Sequence, residues 1–192
     1  MGMATEARIA MRFGLDREAV DDQLLDDEAM GLVNRIAFPE TRGWSLTDRG
    51  RAEDERRLAM ELDACGGRAV VEAGHAAFLP LNAQLLDAMT RWQLRPTPWD
   101  AMAANDHTDW PWDERVLADL RRLLTGLRAI EASLTSALTR FGGYALRFEA
   151  ALARVDQGQR RWVDAPGIDS CHHVWVELHE DLVSTLGITR GA

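Results

Sequence analysis

Residues 15–50 read LDREAVDDQLLDDEAMGLVNRIAFPETRGWSLTDRG, and the fold turns on how this stretch divides. Asp16 is a good helix N-cap, because its carboxylate accepts a free backbone N–H. Glu18 puts a negative charge in the first turn, where the helix dipole favours it. Val20 and Leu24 lie one turn apart on an apolar face that Leu25 widens. Gly31 supplies the left-handed residue that ends a helix, and Leu32 follows where an apolar contact closes the cap. Val33 to Phe38 is a short apolar run, Pro39 to Gly43 a turn, and Trp44-Ser45-Leu46 resumes extended alternation. Thr47 is placed to cap the next helix. The predicted order is helix, strand, turn, strand, helix.

Upstream, Thr5 to Phe13 reads as a short helix with Ile9 and Phe13 one turn apart, stopped by Gly14. Two helices on a tight turn, followed by a two-stranded hairpin, is the order of a winged helix-turn-helix. The succession EAVDDQLLDDEAMGLVNR…ETRGWSLTDRGR resembles the recognition helix and wing of MarR-type winged-helix transcriptional regulators. In that pattern GLV leaves the recognition helix and W-x-L-T-x-x-G-R closes the wing. The resemblance covers roughly the first third of the chain. It implies a DNA-binding regulator, with contacts from Arg17 on the reading helix and from Arg35, Arg42, Arg49 and Arg51 around the wing. A complete unit of this kind has a further helix before the pair, and none is legible here. The expectation is an incomplete winged helix: either the chain starts late within the unit, or another segment or a partner subunit covers its open face.

Charge sharpens the question of what the unit touches. The 192 residues carry a formal charge of −9, and all 22 basic residues are arginine. Residues 1–65 hold 9 Arg and 15 Asp or Glu, a net of −6, and residues 66–192 a net of −3. Glu18, Asp21, Asp22, Asp26, Asp27 and Glu28 dominate the polar side of the reading helix. Phosphate neutralisation supplies most non-specific DNA affinity, so such a helix also fits a module that contacts protein and no DNA.

Asp48 to Ala64 is a charged helix with Ala52, Ala59 and Leu62 on its inner stripe, broken by Cys65-Gly66-Gly67, where a domain boundary (1–65, 66–192) is expected. Beyond it, Val71, Phe78, Leu85 and Trp92 recur every seven residues over 68–94, with Gly74, Leu81 and Ala88 between them. That spacing predicts a helix packed in a bundle, kinked by Pro80. Asp113 to Thr139 carries a continuous apolar stripe from Val116 to Leu138, and Tyr144 to Gln157 and about 169 to 186 are two further amphipathic helices. The predicted fold is therefore mainly α: an incomplete winged helix followed by a helical bundle that dimerises, senses a small molecule, or both.

Candidate pocket residues are His75 and Asn82 bordering the seam, Trp92 at its end, His107 and Asp109 in the loop 95–111, and His172 on the last helix. Trp99, Trp110 and Trp112 predict a loop packed down on the bundle. Each polar candidate has a plainer reading as a hydrogen-bonded interface residue or, for Asp109, a helix cap. His173 and Glu177, four apart on a helix, are the one pair spaced to share a metal ion, and Cys171 beside His172 is a candidate thiol nucleophile. No phosphate loop or hydrolase elbow is present, and no cofactor is expected. Free cysteines and the absence of a secretion signal or apolar span predict a cytoplasmic protein, with a homodimer, DNA and a small-molecule effector as its partners. A metal-dependent enzyme or small-molecule binder built in the bundle is the alternative outside regulation.

Overall fold

The computed structural model describes residues 3–38 and 41–188. The chain divides into two compact units after Met60. The expected boundary after Cys65 lies one helical turn later, because Leu62 is fully buried in the core of the second unit.

The first unit runs β1 (Met3–Ala4), α1 (Glu6–Phe13), α2 (Arg17–Ala29), β2 (Val33–Phe38), β3 (Thr41–Leu46) and the start of α3 (Asp48–Cys65). Local chemistry sets the boundaries. Thr5 caps α1 by accepting from Arg8 N–H, and Gly14, at φ 64°, ends it. Asp16 caps α2 by accepting from Ala19 N–H. At the far end Gly31 N–H donates to Glu28 and Leu32 N–H to Asp27, the paired closure that a left-handed residue permits. Thr47 Oγ1 accepts from Gly50 N–H at 2.9 Å and so starts α3.

β2 and β3 pair antiparallel from Val33↔Leu46 to Phe38↔Thr41, and β1 adds to the other edge of β3 through Met3↔Ser45 and Ala4↔Trp44. The sheet is three-stranded, in the order β1-β3-β2: the expected strand pair is present as β2–β3, and β1 is added to it. Of the expected turn Pro39–Gly43, Pro39 and Glu40 lie outside the described residues, while Thr41, Arg42 and Gly43 are strand. Gly43 suits that place: a side-chain Cβ there would sit 2.8 Å from Ala4 O. A two-residue strand with no apolar alternation carries no sequence signal, which is why β1 was not legible.

A small core of Ala10, Val20, Leu24, Val33 and Trp44 holds this unit, with Ile9 and Leu46 against it. Trp44 Nε1 donates to Glu6 at 2.6 Å, tying β3 to α1. That bond, above all, holds the Glu6 carboxyl below its ordinary range. Leu25 does not widen the buried face; it is exposed.

The second unit is built on α4 (Arg68–Gln93), α5 (Trp110–Ala137), α6 (Tyr144–Asp156) and α7 (Cys171–Leu186). The seven-residue seam is core: Val71, Phe78, Leu85 and Trp92 are buried. α4 and α5 cross closely because each places a glycine under a leucine of the other. Gly74 lies beneath Leu134 and Gly126 beneath Leu81, with the Cβ position 2.5 Å from a leucine methyl in both cases. α4 runs on through Pro80, which sits on its exposed side. Trp175 of α7 stacks on Phe78 at 5.0 Å and meets Phe148 of α6 at 5.9 Å. On α3, Leu62 packs inward as predicted, while Ala52 is exposed.

A methyl group at Gly50 would overlap the backbone carbonyl of Leu32, which has no soft side chain to yield. Gly50→Ala is expected to destabilise the first unit by about 2–3 kcal/mol. Gly14→Ala, strained only by its left-handed backbone, is expected to cost about 1–2 kcal/mol. Urea titration followed by tryptophan fluorescence separates the two.

Candidate functional site

In the first unit, Arg17 opens α2, Arg35 lies on β2, Arg42 on β3, and Arg49 and Arg51 in the first turn of α3. All five are exposed. Two are engaged locally: Arg35 lies over the Trp44 ring at 4.6 Å and 3.5 Å from Glu28, and Arg51 pairs with Asp48 at 3.1 Å. The α2 surface between them is acidic. Glu18, Asp21, Asp22, Asp26 and Glu28 are exposed, and Asp27 is half-buried, accepting from Gln23 at 3.2 Å.

In the second unit the residues after Leu94 fold back as a closed loop. Asn105 N–H donates to Gln93 O at 2.8 Å, and Arg95 N–H donates to Ala103 O at 2.9 Å. This places Asn105 and His107 on Trp92. The His107 ring lies 4.4 Å from the Trp92 ring, and Asn105 Nδ2 donates to Trp92 O at 3.0 Å and to Asp113 Oδ1 at 2.8 Å. Asp113 is fully buried on the first turns of α5. His107 Nδ1 lies 3.1 and 3.2 Å from the two Asp113 oxygens and 3.2 Å from Asn105 Nδ2. The His107 backbone is held at φ 57°, a conformation rare outside glycine, by its N–H donating to Asn105 Oδ1. Asp109 caps α5 through Trp112 N–H and pairs with Arg95 at 2.8 Å.

The loop's tryptophans do not pack as a group. Trp99 stands at the tip of a tight turn closed by Thr97 and Asp100, and is 94% exposed. Trp110 is exposed on the first turn of α5, which begins three residues before the expected Asp113 because Asp109 caps it. Trp112 does dock, donating Nε1 to Arg91 O at 2.7 Å.

The pocket candidates separate into different settings. Trp92, His107 and Asp109 share the α5 entrance, whereas Asn82 accepts from Trp175 Nε1 at 3.0 Å and serves helix packing. His75 is half-buried on α4. His172 donates its backbone N–H to Val163 O, and burial lowers the pKa of its imidazole. A groove of about 410 Å³ opens beside Trp92, between Trp110, Glu114, Leu117, Arg121, Val155 and Arg160. Of the predicted candidates only Trp92 lines it. Arg121 there is held by Glu114 at 2.8 Å and Asp156 at 2.7 Å, while Arg160 has no ion pair among the described residues.

The His173–Glu177 pair sits in an ion-pair network. His173 Nε2 and Glu177 are 3.2 Å apart, but Arg147 reaches the same carboxylate at 2.5 Å and Asp169 at 2.8 and 2.9 Å. A guanidinium there supplies the positive charge that an ion would bring. Among the described residues no group of three or more His, Cys, Asp or Glu side chains could hold a metal. Cys171 is buried, and desolvation pushes its thiol up to about 12, away from the reactive thiolate form.

Sequence reasoning missed the partners that hold these elements. Glu131 of α5 accepts from Gly143 and Ala145 N–H and so caps α6. Arg140 joins Glu61, Asp181 and Thr185, and Tyr144 donates to Asp181 at 2.9 Å. These pairings span 12 to 79 residues, and no local spacing encodes them. Compared with models of protein families, with curated proteins and with solved structures, the chain matches none. Among the described residues no helix is long and apolar enough to cross a membrane.

Asp113→Ala is expected to cost about 2–4 kcal/mol, because it removes the buried carboxylate shared by Asn105 Nδ2 and His107 Nδ1, measured as loss of thermal stability. His172 has the opposite pH signature to a paired histidine. Its folded pKa is lowered, so the unfolded chain takes up the proton first. Stability is expected to fall as pH drops through the ordinary histidine range and to level off below the folded value. His172→Gln should remove that slope in denaturation curves taken from pH 7.5 to 5.

Proposed function

We propose that this protein is a transcriptional regulator. Residues 3–60 serve as a winged-helix unit, and the helical bundle serves as its effector and dimerisation domain. One observation carries the reading. Two helices joined by the tight Gly14–Asp16 turn lead directly into an antiparallel strand pair whose other edge takes a strand from before the first helix. That arrangement supports a reading helix, α2, and a wing, β2–β3. The contacts to DNA fall to Arg17 at the start of α2, to Arg42 on the wing and to Arg49 beside it, which are exposed and carry no ion pair among the described residues. The groove beside Trp92, with Arg160 at its rim, is the place for a small effector, in the size range of ligand pockets.

A second reading has its own observation. The exposed carboxylates of α2 repel phosphate, which favours a winged helix that contacts a basic protein surface and no DNA. A gel shift on DNA from the gene's own upstream region, run across a salt series, decides between them. The regulator reading expects salt-dependent binding, with Arg17→Ala and Arg42→Ala each lowering the salt slope by about 1. Absence of a shift at low salt would leave the protein-contact reading alone.

A further inference from the structure

α4 carries a second seam. Residues 73–86, AGHAAFLPLNAQLL, contain no Asp, Glu, Lys or Arg. The inner side of this helix is occupied by the bundle core. The outer side is exposed: Leu79 is 47% and Leu86 52% accessible, and Ala76 and Ala83 are exposed with them. A surface helix ordinarily turns charges to water, and a helix apolar all round is covered on all sides. Glu72, Ala76, Leu79, Ala83, Leu86 and Thr90 alternate at spacings of four and three, which is the repeat of a helix-pairing seam.

We propose that this seam is covered by α4 of a second copy of the chain, running antiparallel about a two-fold axis near Leu81. The order of the side chains selects that occupant. Reversed against itself, the stripe sets Ala76 opposite the partner's Leu86 and Leu79 opposite the partner's Ala83, so each layer has one large and one small side chain. Parallel pairing would set leucine against leucine and alanine against alanine in alternate layers, with crowding in one and voids in the next. At the ends the reversed register brings the exposed Glu72 beside the partner's Thr90 and Arg91, a guanidinium that already pairs with Asp87 at 2.8 Å and Asp119 at 2.6 Å in its own chain. A two-fold seam of this kind is self-complementary and closes. The inference does not rest on DNA binding: a dimer indifferent to DNA leaves it intact.

The test is the mass of the full chain in solution by light scattering after size exclusion. A dimer is expected for the natural protein, and halving of the mass for Leu79→Glu/Leu86→Glu with the helical circular dichroism unchanged. A monomeric natural protein, or a double variant that stays dimeric, overturns the proposal. Register is checked by oxidation of Ala76→Cys/Leu86→Cys in a Cys65→Ser background, which does not depend on how the charged variant folds. A covalent dimer is expected from that pair and none from Ala76→Cys alone. No cross-link from the pair, or one from Ala76→Cys alone, rejects the antiparallel seam.

Discussion

The crossing of α4 and α5 is the constraint on which the second unit depends. Helices of this length approach closely only where side chains leave room, and here Gly74 and Gly126 leave it reciprocally for Leu134 and Leu81. With the two axes fixed, Phe78 is presented to Trp175 and the last helix is seated. The same crossing leaves Trp92 at the α5 entrance, where the loop closes over it. The candidate groove, the Asn105–His107–Asp113 cluster and the outer seam of α4 are all consequences of where this helix lies.

The first unit is held by fewer apolar groups and compensates with directional bonds. Its core is five buried side chains, so the Trp44–Glu6 hydrogen bond and the close approach of Gly50 to Leu32 carry proportionately more of its order. The acidic surface of α2 is a property of exposed positions and does not disturb that framework. What the unit contacts is accordingly a question of surface charge, separate from the question of how it folds.

The buried polar groups share one logic. Asp113, Asn105 and Asn82 lie within helices or against them, and each has a partner brought by another segment. Arg147 is served by Asp169 and Glu177, and Glu177 also meets His173. Polar atoms withdrawn from water need such partners, so their positions act as locks on the packing around them.

Helix ends and the core seam were legible in the sequence because their causes are local. Asp16, Gly31, Thr47 and Asp109 act on backbone groups within a few residues, and the seven-residue recurrence of Val71, Phe78, Leu85 and Trp92 follows from helix geometry alone. Tertiary structure decided what depends on distant partners. It supplied the third strand, whose two residues have pairing partners but no pattern. It put Trp99 in solvent at the tip of a turn. It gave Glu177 to Arg147, and it left the outer side of α4 bare. An intrahelical spacing can say which residues share a face, but only the path of the whole chain says what that face meets.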